Sequence, residues 1–474
     1  MGDVELTELV GGELAAPSGP PAVTLEDPND GRAVGELRAS APQRVEAALA
    51  GAAEATWPQL ALDERAAALE RLADALDARA GEIAAVEAID TGVPIAITQA
   101  IAGSLGATIR GAVATARAAG DTRELPADGR RVELLRRPWG PAALLTPWNA
   151  PAPVAASKVG HALAAGCPAI LKPSEHAPQA AGLLARAAVD AQLPPGALAV
   201  VHGGPDVALR LAGDDRIAVI SLTGGLAAGR AVGAAAIGRM AALQLELGAS
   251  NPALVCDDAD VAAAAAALAA GATKLNGQWC EAPRRVLVAA DRHDELLDAL
   301  LAELAAVRIG PSVDPDSAMG PLARRAHRDR VLTQLHALGG EPIAAGDVPD
   351  AGAFLAPTVV AGLAADAVGE EIFGPVLTLH PVASDAEALA AANATGDGLA
   401  GYVFSADEAR AFALGRRLRA GEVRLGGTHL LDLAPGSAQS FWGTSGIGGH
   451  GASEALEAYR GTRIVGVDDP ALPI

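Results

Sequence analysis

Cys280 lies in Asn276-Gly277-Gln278-Trp279-Cys280-Glu281-Ala282-Pro283, among loop-forming Gly, Gln and Pro, after an alanine-rich helical stretch from Val261 to Thr273. Cys167 and Cys256 fall instead where free thiols are commonly inert packing. A thiol set apart in a polar loop is a candidate nucleophile. Glu246, in Leu245-Glu246-Leu247-Gly248, places an acid within an apolar strand that ends in a glycine turn. Low dielectric there is expected to raise its pKa toward that of a general base, unless it merely occupies the exposed face of a half-buried strand. Asn149, in Pro147-Trp148-Asn149-Ala150-Pro151, follows a strand-like run at its carboxyl end, where open α/β sheets bind ligands; a rigid turn is the competing reading.

Two further stretches could handle a phosphorylated or ribose-bearing ligand. Lys172-Pro173-Ser174-Glu175 follows the run Ala169 to Leu171, so that a cation and a carboxylate could share ribose hydroxyls or form only a surface ion pair. Ser221-Leu222-Thr223-Gly224-Gly225 leads from a strand into a helix through Gly229, and glycines at such a junction let free amides and the helix dipole meet an anion. Gly446-x-Gly448-x-x-Gly451 has the spacing of a dinucleotide-binding turn. No clear strand precedes it and too little chain follows for a βαβ unit, so it reads as a glycine-rich loop.

These residues must be positioned by alternating elements. From Pro141 onward, short apolar runs (Ala142 to Leu145, Ala169 to Leu171, Leu198 to His202, Ile217 to Leu222) each precede a helical segment, the pattern of βαβ units and a parallel sheet. A second alternating half follows Asn251, with strands near Val286 to Val288 and Val376 to His380 and helices near Glu295 to Val307, Asp385 to Ala392 and Ala406 to Ala420. Before the first sheet, Pro42 to Asp90 reads as surface-packed helices, with Asp63 as the N-cap of Glu64 to Ala78. Asp128-Gly129 between two strand-like arms, from Arg123 to Arg136, signals a type I′ hairpin projecting from the domain.

Composition excludes several function classes. Of 474 residues, 57 are acidic and 36 basic, a formal charge of −21 that repels nucleic-acid backbones and anionic lipid. The longer uncharged runs are broken by Gly or Pro and carry polar groups, so none reads as a membrane span. The first residues show no leader or lipidation pattern. Three cysteines without a CxxC pair or a His cluster at metal spacing fit a reducing cytoplasm and predict no metal site.

Taken in order, from about Asp90-Thr91-Gly92 to Gly451, these motifs resemble those of the aldehyde dehydrogenase superfamily. The resemblance implies an α/β fold: a Rossmann-like cofactor domain (1–120 and 138–247), a second α/β catalytic domain (248–450), and a small β oligomerisation arm (121–137 and 451–474). It implies NAD-dependent oxidation of a small aldehyde to a carboxylic acid by a cytoplasmic homodimer or homotetramer, with no nucleic-acid or membrane partner. Cys280 would be the nucleophile, Glu246 the base that activates water, and Asn149 the oxyanion donor beside the Cys280 amide. Lys172, Ser174 and Glu175 would lie at the adenosine ribose; Gly224, Gly225 and Gly229 at the helix that approaches the pyrophosphate. Trp148 would line the cofactor or aldehyde site, and in Glu371-Ile372-Phe373-Gly374-Pro375 the acid would hold the nicotinamide ribose and Phe373 pack at the nicotinamide end. A carboxylate at the ribose diol disfavours the 2′-phosphate of NADP, although Lys172 would partly offset that repulsion and leaves NADP as an alternative. A CoA-acylating or semialdehyde dehydrogenase, or a silent binding member of the fold, are the competing functions.

Departures from the family pattern carry their own expectations. Gly225 stands where the family usually has Ser, which removes a hydroxyl contact to the pyrophosphate. Gly449-His450 replaces the usual Arg-Glu in the segment that shapes the aldehyde entrance. Glu281 is expected to face outward; facing inward, it would raise the thiol pKa or favour a cationic substrate. Ala100 to Ala119 offers no aromatic side chain, suggesting a roomy tunnel.

Overall fold

The computed structural model describes residues 6–365, 367 and 370–468. Residues 1–5, part of the start expected to carry no leader or lipidation pattern, and 469–474, the end of the expected arm, lie outside them.

The apolar runs after Pro141 form strands buried on both faces, as continuous hydrophobic sequence demands of a parallel sheet. Across this eight-stranded sheet the order is Glu13–Ala15, Glu8–Val10, Leu198–Val200, Ala169–Lys172, Ala142–Leu145, Val219–Gly224, Ala242–Leu247, Gly446–Ile447. The five strands from Leu198–Val200 to Ala242–Leu247 run parallel, and the edges are antiparallel. Strand order reverses between Ala142–Leu145 and Val219–Gly224, so the loops that leave their carboxyl ends flank a crevice of the kind in which doubly wound sheets bind ligands. These are the loops bearing Asn149 and Gly225. Alanine-rich faces let Leu105–Ala119 pack along Pro151–Ala165 beneath the sheet.

The second sheet has seven strands in the order Glu341–Ala344, Thr358–Ala361, Val376–Val382, Arg285–Ala289, Pro252–Val255, Ala400–Phe404, Glu422–Leu425, parallel except for the first pair. A three-stranded sheet joins Thr122–Leu125, Val132–Pro138 and Arg460–Gly466. Its hairpin turns at Asp128 and Gly129, both with positive φ, and Arg130 N–H donates to the Ala127 carbonyl at 2.8 Å, as a type I′ turn requires. Among the described residues no helix is long and apolar enough to cross a membrane.

Some expectations need correcting. Asp63 is not an N-cap: the helix Leu62–Ala78 starts after Ala61, whose N–H donates to Glu64 Oε2 at 2.8 Å, so the acid three positions on does the capping. The helix expected over Ala406 to Ala420 covers only Glu408–Gly415. Gly446–Ile447, within the stretch assigned to the second domain, instead closes an edge of the first sheet by pairing with Leu245 and Glu246. Gly446 permits that approach: its φ is +141°, and a Cβ there would stand 1.7 Å from the Leu245 carbonyl oxygen.

Candidate active site

The loop that carries Cys280 is over-determined by long-range hydrogen bonds. Leu275, Asn276 and Gly277 take positive φ in succession, a conformation that non-glycine residues keep only when neighbours enforce it. Asn276 Nδ2 donates to the Pro321 carbonyl and its Oδ1 accepts from Gly320 N–H, both at 2.8 Å. Asn251 Nδ2 donates to the carbonyls of Cys280 (2.8 Å) and Ala282 (2.9 Å). Buried Arg284 donates to Gly277 O at 2.7 Å and Trp279 O at 3.1 Å and also reaches Gly374 O, tying this loop to the one that bears Glu371 and Phe373.

Three sequence-derived residues meet here. Cys280 Sγ lies 3.5 Å from Glu246 Oε1, at the carboxyl end of the Ala242–Leu247 strand. Asn149 Nδ2 donates to the Gln278 carbonyl at 2.8 Å, two residues before the thiol, which leaves its second N–H for another acceptor. Its loop is fixed by Pro151 at the start of a helix and by Glu87 from a neighbouring helix, whose Oε1 accepts from Ala152 N–H at 2.7 Å because Ala150 has no capping side chain. Cys280 packs against the apolar cluster of Val93, Leu275, Trp279 and Ala282, which Ile97, Ile101 and Ala150 also join, and against the cluster of Ala249, Leu399 and Phe441.

The aldehyde dehydrogenase family model matches residues 16–465. The chain belongs to that family. It is 35% identical over 442 residues to a betaine aldehyde dehydrogenase of Cereibacter sphaeroides, covering 91% of each chain. The fold superposes with a TM-score of 0.92 on an NAD-dependent aldehyde dehydrogenase from Sinorhizobium meliloti, at 30% identity over 99% of this chain and 96% of that one. A betaine aldehyde dehydrogenase from Staphylococcus aureus solved with NAD+ gives the same score at 25% identity, covering 99% and 96%. The protein is accordingly an NAD(P)-dependent oxidoreductase that oxidises an aldehyde through half-buried Cys280 beside Glu246.

The electrostatics of this aldehyde dehydrogenase differ from the sequence expectation in two places. Burial alone would raise the Glu246 pKa, but His450, Lys158 and the Thr223 hydroxyl more than reverse it and hold the carboxyl at about 2. Thr223 Oγ1 donates to Glu246 Oε2 at 3.0 Å. Glu281 does not face outward: its side chain is only 13% exposed and its Oε1 lies 4.0 Å from His450 Nε2. Burial raises its pKa, with Glu422 and Glu246 adding to the push and His450 opposing it. Burial together with Glu246, Glu281 and Glu371 keeps the Cys280 thiol well above its usual pKa, so the resting sulfur is protonated.

Several cofactor candidates stand at or just after the carboxyl ends of the first sheet's strands. Lys172 is buried at a strand end and donates to Pro173 O at 2.9 Å and Glu175 Oε2 at 3.3 Å; Ser174 Oγ accepts from His176 N–H at 3.3 Å. Gly225 is the N-cap of the helix Leu226–Ile237 and offers no capping side chain, leaving that helix's first amides for a ligand. Gly224 is the last residue of the strand before it. Gly229 has a packing reason: a Cβ there would lie 2.6 Å from the Leu247 methyls, so it lets the helix press on the strand of Glu246. Trp148 and Phe373 stack edge to face at 5.5 Å, with His327 against both. Glu371 Oε1 is buried and has no hydrogen-bond partner among the described residues, as suits a carboxylate that awaits a ribose hydroxyl, and desolvation raises its pKa to about 7. Sequence reasoning missed Glu87, Arg284, His327 and the placement of His450. Only His450 had a signal, as a departure at the entrance segment.

Proposed function

We propose that Cys280, Asn149 and Glu246 divide the oxidation of an aldehyde to a free carboxylate. The Cys280 thiol, protonated at rest, gives up its proton to solvent and attacks as the thiolate, forming a tetrahedral adduct on Sγ. Asn149 Nδ2 and the Cys280 backbone N–H donate to the oxyanion, where a fixed donor acts without supplying a competing acid. Bound NAD supplies the ring that accepts the hydride. The thioester left on Sγ is hydrolysed by water whose proton passes to Glu246, and Sγ departs. The observation that carries this reading is the 3.5 Å approach of Cys280 Sγ to Glu246 Oε1, with Asn149 bonded to the same loop.

Lys172, Ser174 and Glu175 would hold the adenosine ribose, with Glu175 favouring NAD over NADP. The amides after Gly224 and Gly225 would meet the pyrophosphate, and Glu371 Oε1 a nicotinamide-ribose hydroxyl between the Trp148–Phe373 wall and Cys280. Three carboxylates act on the thiol, so the preferred aldehyde is neutral or cationic rather than carboxylate-bearing; the similarity to betaine aldehyde dehydrogenases accords with that class. Ile464, Val465 and Val467 are exposed on and just after the edge strand Arg460–Gly466, which supports pairing with a second copy in a homodimer or homotetramer. Free cysteines support a cytoplasmic setting.

Cys280→Ala should abolish aldehyde-dependent NADH formation while sparing NAD binding, and added CoA should not accelerate the wild type. An active C280A rejects the nucleophile. Dependence on CoA rejects hydrolysis, and a preference for a carboxylate-terminated aldehyde over a neutral one of equal length rejects the substrate class.

A further inference from the structure

His450 has no task in that mechanism, yet its ring stands between the base and the acid that follows the nucleophile. Nδ1 lies 3.8 Å from Glu246 Oε2 and Nε2 lies 4.0 Å from Glu281 Oε1. Nε2 also meets Gln439 Oε1 at 2.8 Å. The orientation of that amide follows from its other end: Gln439 Nε2 donates to the Leu399 carbonyl at 2.8 Å, so the atom turned to the histidine is the acceptor. The imidazole therefore donates from Nε2 to Gln439, while Nδ1, at 3.8 Å, lies within ion-pair reach of the Glu246 carboxylate but beyond hydrogen-bond length. Burial opposes the charge, as does Lys158 from the helix below, but Glu246 and Glu281 outweigh them and raise the histidine above its usual pKa.

The backbone that carries the ring is pinned to the strand that carries the base. Gln244 and Glu246 are two residues apart on that strand and so share a face. Gln244 Nε2 donates to the Gly449 carbonyl at 2.6 Å, while its Oε1 accepts from Ser221 Oγ, also at 2.6 Å. Lys158 Nζ in turn donates to Ser221 Oγ at 2.6 Å. Phe441 packs edge-on against the ring at 5.2 Å.

We infer that His450 is a positioning residue for Glu246: as an imidazolium it holds Oε2 and separates Glu246 from Glu281, leaving Oε1 ionised and turned to Cys280. The inference rests on the reading of Glu246 as the base that activates water. The two oxygens then differ in kind. Oε2 accepts from Thr223 Oγ1 at 3.0 Å and lies 3.8 Å from the imidazole Nδ1, whereas Oε1 is the oxygen 3.5 Å from the sulfur. Without the ring's charge, Glu246 would face Glu281, with Glu422 behind it; Lys158 would remain on the Glu246 side and Lys274 on the Glu281 side. Each carboxylate would then favour protonation of the other.

The test is the pH dependence of the NADH burst and of the slower deacylation, measured separately for wild type, His450→Gln and His450→Lys wherever each protein keeps its fold. An opposite charge this close shifts a carboxylate by ~1–3 pKa units, so H450Q should move the acid limb of deacylation upward by about one unit or more. H450K, which keeps a cation, should follow the wild type. A limb that coincides in H450Q and wild type, or one displaced as far in H450K as in H450Q, overturns the inference and leaves His450 a packing role. If H450Q does not fold, Gln439→Met decides with the same measurement: it removes one acceptor and should raise the limb by less, and an unmoved limb overturns the inference. A wild type without aldehyde-dependent NADH formation would instead refute the underlying reading before any variant is compared.

Discussion

Replacing Glu246 by Gln keeps the shape of the base and removes its charge, and the two steps that use Cys280 should respond in opposite directions. At rest the thiol is held protonated by burial and by Glu246, Glu281 and Glu371. Glu246 Oε1 stands 3.5 Å from the sulfur. At that separation and an effective dielectric of ~20, two unit charges repel by about 5 kcal/mol, an upper bound that solvent and the nearby imidazolium reduce to an effect of ~1–3 pKa units. Thiolate becomes more abundant in E246Q but less nucleophilic, with a Brønsted slope of ~0.4–0.5, so iodoacetamide should alkylate Cys280 roughly 3- to 50-fold faster near neutral pH. Turnover should fall by ~10²–10⁴, the usual loss of a general base, and NADH formation should become a stoichiometric burst followed by slow release. Mass spectrometry of the quenched burst should find the acyl group on Cys280. Slower alkylation in E246Q would mean that Glu246 takes the proton of the thiol itself. Turnover without a burst would mean that acyl transfer to water does not depend on this carboxylate.

Asn149→Ala should lower kcat by ~10²–10³ while NAD affinity, read by fluorescence titration, stays unchanged; unchanged kcat would remove Asn149 from the oxyanion site. Glu175→Gln removes the charge that faces Lys172 at 3.3 Å. It should raise the kcat/KM ratio of NADP to NAD roughly tenfold or more, on the scale of one charge contact near a protein surface, and an unchanged ratio would place the ribose elsewhere. Gly446→Ala forces a Cβ to within 1.7 Å of Leu245 O at a φ of +141°. It should cost ~1–3 kcal/mol of backbone strain and lower the denaturation midpoint, and a midpoint equal to wild type would show that the edge strand relaxes freely.

The central strands of both sheets were legible because burial on both faces is written as an unbroken apolar run, as in Ala142–Leu145 and Ala169–Lys172. The edges were not. Glu13–Ala15 and Gly446–Ile447 carry exposed residues and no clear period, and the second pairs with a strand far away in the chain. Cys280 and Asn149 could be picked out because each combines a reactive or polar group with Gly and Pro neighbours that forbid regular structure. Arg284 could not, since an Arg just before an apolar strand gives no sign that it will bridge two loops of the site. Trp148 and Phe373 were named separately, whereas His327, which packs against both, lies in a helix whose sequence says nothing of either.

Glu246 shows why burial alone misleads about charge. Three desolvated glutamates of this chain, one buried and two half-buried, end with different pKa values: Glu87 rises to about 8 and Glu371 to about 7, while Glu246 falls to about 2. Desolvation is the largest influence on each, and it is the only one a strand or helix reveals locally. Glu87 gains one backbone donor, and Arg284 only partly offsets the burial of Glu371. Glu246 is reached by His450, Lys158 and Thr223 from three other segments, and the sign reverses. The reversal has a chemical cost, because a carboxylate held so acidic is a weaker proton acceptor than one tuned near the working pH. It also has a use. With Glu281 and Glu371 acting on the same thiol, an uncompensated Glu246 would be driven toward the neutral acid, which cannot accept a proton from water. The surrounding cations exchange proton affinity for ionisation, and among this many buried acids ionisation is the condition a base must meet first.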